Sequence, residues 1–162
     1  MIVRLSQKLA RKLKERDLSV VPVHENPYLD WHAHLFTHRR SQYIMVTNCA
    51  SLFSVFMHGA GVTNISRFYD NFSANLHGIL RELNADLIYQ RIIAPVAGNI
   101  CPAKAQDRKI IGTMNEIVFE SKYTLDMVNI SPYDLSFKIN ENNMRLIKYK
   151  TPREMFMGMR VE

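Results

Sequence analysis

The sequence predicts an α+β fold: a small, mainly antiparallel sheet with a central hairpin, packed by three to four helices. Strand-like runs cluster early in the chain and helical periodicities dominate later, which favours separate rather than alternating elements. No glycine-rich turn joins a strand to a helix, which argues against dinucleotide-binding and P-loop folds. The chain of 162 residues, 47% hydrophobic, is long enough for one core, and no linker divides it, so residues 1–162 form a single predicted domain.

Four runs are predicted strands. Residues 2–5 open the chain, and residues 18–21 end at Pro22, which has no amide hydrogen to donate to a sheet. Residues 42–48 and 52–57 are rich in β-branched and aromatic side chains and are separated by a short polar break. This pattern is typical of an antiparallel hairpin.

The strongest helical pattern runs from about Ser66 to Leu83, where apolar residues recur every three or four positions. Asp107 is the predicted cap of a second long helix, and residues 94–106 before it form a loop with two prolines. Shorter helices are predicted after the cap Ser6, from Asp86 and over residues 132–139.

Positive charge is concentrated at the two ends of the chain. There are 21 Lys and Arg against 15 Asp and Glu, which gives a formal charge of +6. Residues 1–16 hold six cations against one acid, and residues 145–160 hold five against one. The field of such a protein attracts polyanions before any specific contact forms, although solubility alone also accounts for the charge.

The two cysteines, Cys49 and Cys101, lie 52 positions apart and show no metal-binding spacing. Buried free thiols are the expectation, with one disulfide left open. Charged residues interrupt the first apolar stretches, so no signal peptide is predicted. No run approaches the roughly 20 apolar residues of a membrane span. We therefore expect a cytoplasmic protein with no membrane partner.

Residues 24–40 have no clean period, and they interleave aromatic and cationic side chains. Trp31 could stack on a base, while the guanidinium groups of Arg39 and Arg40 suit phosphate oxygens. The alternative places Trp31 in the core and the two arginines at an ordinary strand end, and for Trp31 we favour that alternative.

The start of the second long helix is another candidate anion site. Arg108 and Lys109 lie on its first turn, where free backbone amides and the helix dipole add to the side-chain charge. Gly112 and Asn115 follow on the same helix. Capping by Asp107 competes with this use, and a normally capped helix is the preferred interpretation.

Three histidines within residues 24–40, for which no helix or strand is predicted, could bind a divalent metal. His32 and His34 share a face if they lie on a strand, and His34 and His38 share one if they lie on a helix. A water on such a metal, with Asp30 or Glu25 as a further ligand, would hydrolyse a phosphoester or an amide. The spacing matches no zinc-hydrolase signature, and histidines without a metal are the commoner case.

Segments 30–56 and 107–116 together resemble an uncharacterised bacterial family, a domain of unknown function. The matching positions are Trp31, Arg39, Arg40, Arg108, Gly112, Met114 and Asn115. The family pattern carries a residue other than histidine at the position of His34, which weakens the metal interpretation. The resemblance implies a compact cytoplasmic bacterial protein and brings no activity. It points to the three arginines and Asn115 as a shared polar surface.

Three functions remain as hypotheses. The leading one is a non-enzymatic or accessory protein that binds a polyanion, with nucleic acid as the favoured polyanion. The second is a small hydrolase or nuclease that uses the histidine cluster, with a metal or with His38 beside Arg39 alone. The third is a protein–protein module or homodimer that uses the hairpin edge or the methionine-rich chain end. That chain end could equally be the last element of the core.

Overall fold

The computed structural model describes residues 1–161 and confirms the α+β fold. A five-stranded sheet has the strand order β4-β3-β2-β1-β5. The strands are β1 (Ile2–Leu5), β2 (Asp30–His38), β3 (Ser41–Asn48), β4 (Ser54–His58) and β5 (Cys101–Lys104). The helices are α1 (Gln7–Lys12), α2 (Ile65–Glu82), α3 (Asp86–Ile88), α4 (Arg108–Met127), α5 (Pro132–Ile139) and α6 (Pro152–Gly158).

The sheet combines two kinds of pairing. Strands β2, β3 and β4 are antiparallel neighbours, as the predicted hairpin requires. Strand β1 lies parallel to both β2 and β5, so half of the pairings are parallel. The β3–β4 hairpin extends to one edge of the sheet, and the centre is occupied by β2.

Residues 24–40, for which the sequence predicts no helix or strand, contain the longest strand, β2. Strand β2 is buried on both faces along most of its length, so the polar-apolar alternation of a half-exposed strand is missing. The predicted strand over residues 18–21 is wrong, because β5 occupies the position beside β1. Residues 18–21 instead run along the outside of β5, where the Ser19 carbonyl accepts from the Lys104 amide at 2.8 Å.

The predicted helices lie close to their expected positions. Helix α2 is capped by Asn64, whose side chain accepts from the Arg67 amide. The helix ends before Asn84, whose own backbone is in the left-handed conformation. Helix α3 continues into a π-helical turn at Tyr89–Ile93. Part of the predicted loop over residues 94–106 forms β5, whose Pro102 is tolerated at a sheet edge.

Two apolar clusters cover the two faces of the sheet. Trp31 and Val3 belong to the cluster packed by α1, α2 and α6. Phe36, Met45 and Phe56 belong to the cluster packed by α4 and α5. Phe156 of α6 lies against the ring of Trp31 with centroids 5.9 Å apart, so the methionine-rich chain end closes the core. This packing favours the interpretation of the segment as the last element of the core, and its use in binding a partner stays a prediction.

Helix α5 covers the free edge of the sheet at β4. Asn140 accepts from the Ser54 amide and donates to the Ser54 carbonyl, both at 2.8 Å. The Ser136 hydroxyl accepts from the Phe56 amide at 2.8 Å. Three backbone groups at this edge of β4 are therefore paired within the chain, which leaves fewer of them for a strand of another chain. A homodimer through the hairpin edge stays a prediction.

Within residues 1–161, no helix is long and apolar enough to cross a lipid bilayer. This finding agrees with the absence of long apolar runs in the sequence.

Replacing Asn140 by Ala should lower the free energy of unfolding by about 3 kcal/mol, because it leaves two buried backbone groups of Ser54 without partners. Urea unfolding monitored by circular dichroism measures the change. Asn143→Ala, three residues further on and exposed, is the control and should change stability by less than about 0.5 kcal/mol. Equal stability of the two variants would show that α5 does not hold the sheet edge.

Candidate functional site

One side of α4 carries a row of polar and aromatic residues, in which Lys122 is half-buried and the others are exposed. Arg108, Asn115, Phe119, Lys122 and Asp126 are spaced by seven, four, three and four positions, which places them along one line of the helix. The buried side of α4 lies against the sheet. Lys109 points about 100° away from Arg108 around the helix and does not belong to the row.

The turn between β2 and β3 joins the row at its C-terminal end. Asp126 Oδ1 lies 2.8 Å from Arg39 Nε and 2.8 Å from His38 Nε2. Arg39 and Arg40 are the two loop residues of the hairpin, with φ of 45° and 68°. Two left-handed residues in succession are typical of a type I′ turn, which normally uses Asn-Gly.

Helix α1 contributes one further cation, Lys8. Lys12 of the same helix donates from Nζ to Gln42 Oε1 at 2.7 Å, and Gln42 lies opposite Thr37 on the other face of the sheet, so Lys12 lies outside this surface. Burial lowers the pKa of His34, and the nearby charges of Lys8 and Lys122 lower it further. Both lysines therefore lie near one β2 side chain. We call the set Lys8, Arg39, Arg40, Arg108 and Lys122 the basic stripe.

Two aromatic side chains stand exposed beside the basic stripe. Phe119 is 78% exposed and Tyr123, one turn later on α4, is 63% exposed. Met127 continues this apolar line at 66% exposure. A line of large exposed apolar side chains is a candidate contact surface for another molecule.

The structure corrects two candidates for polyanion binding. Trp31 is completely buried, and its indole nitrogen donates to the Tyr28 carbonyl at 2.8 Å, so it cannot stack on a base. The Asp107 side chain accepts from the amides of Lys109 and Ile110, so the start of α4 is a capped helix and not a free anion site.

A chain of buried polar groups lies on the α4 side of the sheet. Arg4 donates from Nε and Nη2 to the two oxygens of Asp30, each at 2.8 Å. Arg4 Nη1 donates to the Val21 carbonyl, and Nη2 also donates to the Pro22 carbonyl, each at 2.9 Å. Burial alone would raise the pKa of Asp30, but the bonds from Arg4 and from the His24 amide outweigh it and keep that pKa below its ordinary value.

Cys49 links this ion pair to His32. Its Sγ lies 3.3 Å from Asp30 Oδ1 and 3.0 Å from His32 Nδ1. Burial raises the pKa of the Cys49 thiol, so it carries one proton. The Cys49 thiol donates its one proton to Asp30 Oδ1, and on this basis we assign His32 Nδ1 as the donor to the sulfur. In this assigned tautomer Nε2 carries an acceptor lone pair.

His32 is neutral and only half satisfied. Burial, together with the nearby Arg4 charge, lowers the pKa of His32 to about 4. The residue is 2% exposed, and within residues 1–161 nothing forms a hydrogen bond with Nε2. An unpaired buried polar atom in a folded protein calls for a physical explanation.

A cavity of about 220 Å³ adjoins this histidine below the first half of α4. It is lined by His32, His34, Gln7, Ile111, Met114 and Asn115, among others. The cavity thus brings together two of the candidate metal ligands and one of the candidate polyanion-binding residues.

The three histidines do not form one metal site. All three lie on the strand β2, so His34 and His38 are about 13 Å apart along the chain and do not chelate as a helical pair would. His38 is held by Asp126, while His32 and His34 share the cavity. No group of three or more His, Cys, Asp or Glu in residues 1–161 is arranged to hold a metal ion.

The sequence analysis did not identify Arg4 and Cys49 as members of this chain of buried polar groups. Both cysteines are free, but Cys101 is exposed, so the expectation of two buried thiols is wrong for it. The exposed pair Phe119 and Tyr123 could have been found, because the apolar positions Ile110, Met114 and Ile117 predict the buried side of α4 and place both aromatics outside it.

A model of the family described as a domain of unknown function, DUF6933, matches residues 2–155. The chain is a member of the DUF6933 family. This membership confirms the resemblance noted from the sequence, and the match includes every residue of the basic stripe and of the buried chain. No curated protein and no solved structure matches this DUF6933 chain.

The lowered pKa of His32 predicts a stability loss on mild acidification. Between the unfolded pKa of 6.5 and the folded value of about 4, the unfolded chain binds a proton that the native chain does not, so stability falls as pH falls. His32→Gln should reduce the loss between pH 7 and pH 5 by about 2 kcal/mol in urea unfolding. His58→Gln, on exposed His58 of β4, is the control, and identical pH slopes in parent and His32→Gln would refute the assignment.

Proposed function

We propose that the protein binds single-stranded nucleic acid along the basic stripe. The stripe follows one side of α4 from Arg108 to the Arg39–Arg40 turn. The 18 residues between Arg108 and Asp126 correspond to about 27 Å of helix. The positive net charge and these aligned cations support a polyanion as the ligand.

The observation that carries the proposal is the exposure of Phe119 and Tyr123 beside these cations. Bases stack on aromatic side chains, and each stack contributes about 1–3 kcal/mol. In a duplex the bases are already stacked on each other, so exposed aromatic side chains favour single strands.

The strained turn supports the same proposal. Each left-handed residue other than glycine costs roughly 1–2 kcal/mol. Asn-Gly would form the turn with less strain, yet two arginines occupy it. Arg40 is exposed at the tip of the turn, where it can pair with a phosphate. Stability given up at a position that projects charge is consistent with selection for binding.

The proposal assigns the protein to the bacterial cytoplasm. Both thiols are free, which suits a reducing compartment. Nucleic acids are abundant there, so a polyanion-binding protein of this charge would meet its ligand directly.

Fluorescence anisotropy with a labelled single-stranded oligonucleotide across a salt series tests the proposal. The logarithm of affinity should fall linearly with the logarithm of salt concentration. Arg40→Gly should reduce the steepness of that line by about 0.7 while raising stability by about 1 kcal/mol. Phe119→Ala should weaken binding about tenfold through the lost stack.

Two variants on the opposite face of the sheet serve as matched controls. Arg81→Ala removes the same charge from α2, and Leu87→Ala removes an apolar side chain that is 65% exposed. Both should keep the affinity of the parent near physiological salt. The proposal is wrong if no oligonucleotide binds above the low-salt background, or if control and stripe variants lose affinity equally.

A further inference from the structure

We infer that His38, Asp126 and Arg39 form a site that cleaves RNA strands bound along the basic stripe. The inference rests on the proposed function, because the cations of the stripe bring the strand to this site. It adds an activity to that function, and it names RNA as the class of nucleic acid.

Asp126 holds a histidine and an arginine on one oxygen atom. Its Oδ1 lies 2.8 Å from His38 Nε2 and 2.8 Å from Arg39 Nε, so the two nitrogens are at most twice that distance apart. His38 is the last residue of β2, and Asp126 lies in the last turn of α4. The three side chains therefore meet where the turn after β2 contacts the end of the helix.

The second ring nitrogen of His38 is open to solvent. A carboxylate only accepts hydrogen bonds, so we assign the proton of the neutral ring to Nε2 and the acceptor lone pair to Nδ1. Within residues 1–161, Nδ1 has no hydrogen-bond partner, yet it is not one of the buried polar atoms that lack a partner. A group of a bound ligand can therefore reach Nδ1 from the solvent side.

The site requires a ligand with a hydroxyl donor next to an anionic group. Nδ1 accepts, and therefore it does not bind an ionised phosphate oxygen, which also accepts. The Arg39 side chain is 73% exposed, so its guanidinium is accessible to phosphate oxygens. In RNA the 2′-hydroxyl and the 3′ phosphate are attached to neighbouring ribose carbons, whereas DNA has no 2′-hydroxyl. The acceptor and the cation together therefore select RNA.

The proposed binding surface leads a strand to this site. Lys122 precedes Asp126 by one turn of α4, and the exposed ring of Tyr123 precedes it by three positions, so both neighbour the carboxylate on the helix surface. A base stacked on Tyr123 would hold its ribose near His38. Arg40, exposed on the same turn, is placed to bind a neighbouring phosphate.

The geometry suits cleavage by the RNA's own hydroxyl. A histidine oriented by a carboxylate is a common proton acceptor for a hydroxyl nucleophile. Nδ1 of His38 takes the 2′-hydroxyl proton as the 2′ oxygen forms a bond to the adjacent phosphorus. The bond from phosphorus to the 5′ oxygen of the next nucleotide breaks, that oxygen takes a proton from water, and His38 returns its proton to the solvent. Arg39 stabilises the charge on the phosphate oxygens, and the products are a 2′,3′-cyclic phosphate and a 5′-hydroxyl end.

Cleavage of a labelled single-stranded DNA oligonucleotide that carries one ribonucleotide tests the inference. With the full chain in excess, and with EDTA present because the step uses no metal ion, the parent should cut only after the ribonucleotide. Mass spectrometry should find a cyclic phosphate on the product. The all-DNA oligonucleotide should bind and stay intact. His38→Gln should slow cleavage about 100-fold or more, because it removes the proton acceptor.

His77 of α2 offers a matched control. It makes the same bond to a carboxylate, that of Asp86, at 2.9 Å, but α2 packs on the other face of the sheet. His77→Gln should cleave at the rate of the parent. Asp126→Asn should slow cleavage without weakening the binding of the all-DNA oligonucleotide, because Asp126 positions His38 and does not touch the strand.

A second His38 variant separates proton transfer from folding. Imidazole added to His38→Ala should restore part of the cleavage, which a structural role of His38 would not allow. Both His38 variants should bind the all-DNA oligonucleotide like the parent, which shows that they are folded.

Equal cleavage by the parent and His38→Gln, or no cleavage by the parent while the all-DNA oligonucleotide binds, overturns the inference and leaves the proposed function intact. In that case Asp126 only holds the turn to α4. If neither oligonucleotide binds and neither is cut, the proposed function is wrong, and this inference is wrong with it.

Discussion

The buried ion pair between Arg4 and Asp30 organises the part of the molecule on which the candidate site depends. It joins β1 to β2 through two hydrogen bonds of 2.8 Å, and it fixes residues 21–22 through their carbonyls. Asp30 accepts from Arg4, His24 and Cys49, which fills its acceptor positions. Removal of either charge would leave the other buried without a partner, a loss of about 3–5 kcal/mol.

This pair also explains why one face of the sheet is polar in part. Arg4, Asp30 and His32 lie on the face covered by α4, at the end of the sheet near the cavity, whereas Phe36, Met45 and Phe56 fill the rest of that face. The apolar part provides the packing that holds α4 and α5. The polar part holds one histidine in a single tautomer next to an open space, a level of preorganisation that packing alone does not require.

The sequence predicts elements whose pattern is local. Helix α4 and the β3–β4 hairpin follow from spacing, caps and residue type, and both form where expected. Strand β2 lacks alternation because both of its faces are buried, and the short edge strand β5 gains its order from pairing with β1. The chain of buried polar groups joins side chains at positions 4, 30, 32 and 49, and only the topology of the sheet brings such distant residues together. The exposure of Phe119 and Tyr123 was within reach of sequence reasoning, because both lie outside the apolar side of α4.

The protonation state of the His32 ring is the central claim, since the unpaired acceptor and the pH dependence both follow from it. Long-range ¹H–¹⁵N correlation NMR of the histidine side chains tests it directly. The structure predicts a protonated Nδ1 and an unprotonated, pyridine-type Nε2 for His32 from pH 7 down to pH 5. A protonated Nε2 at pH 7, or an imidazolium signal already at pH 6, would contradict the account.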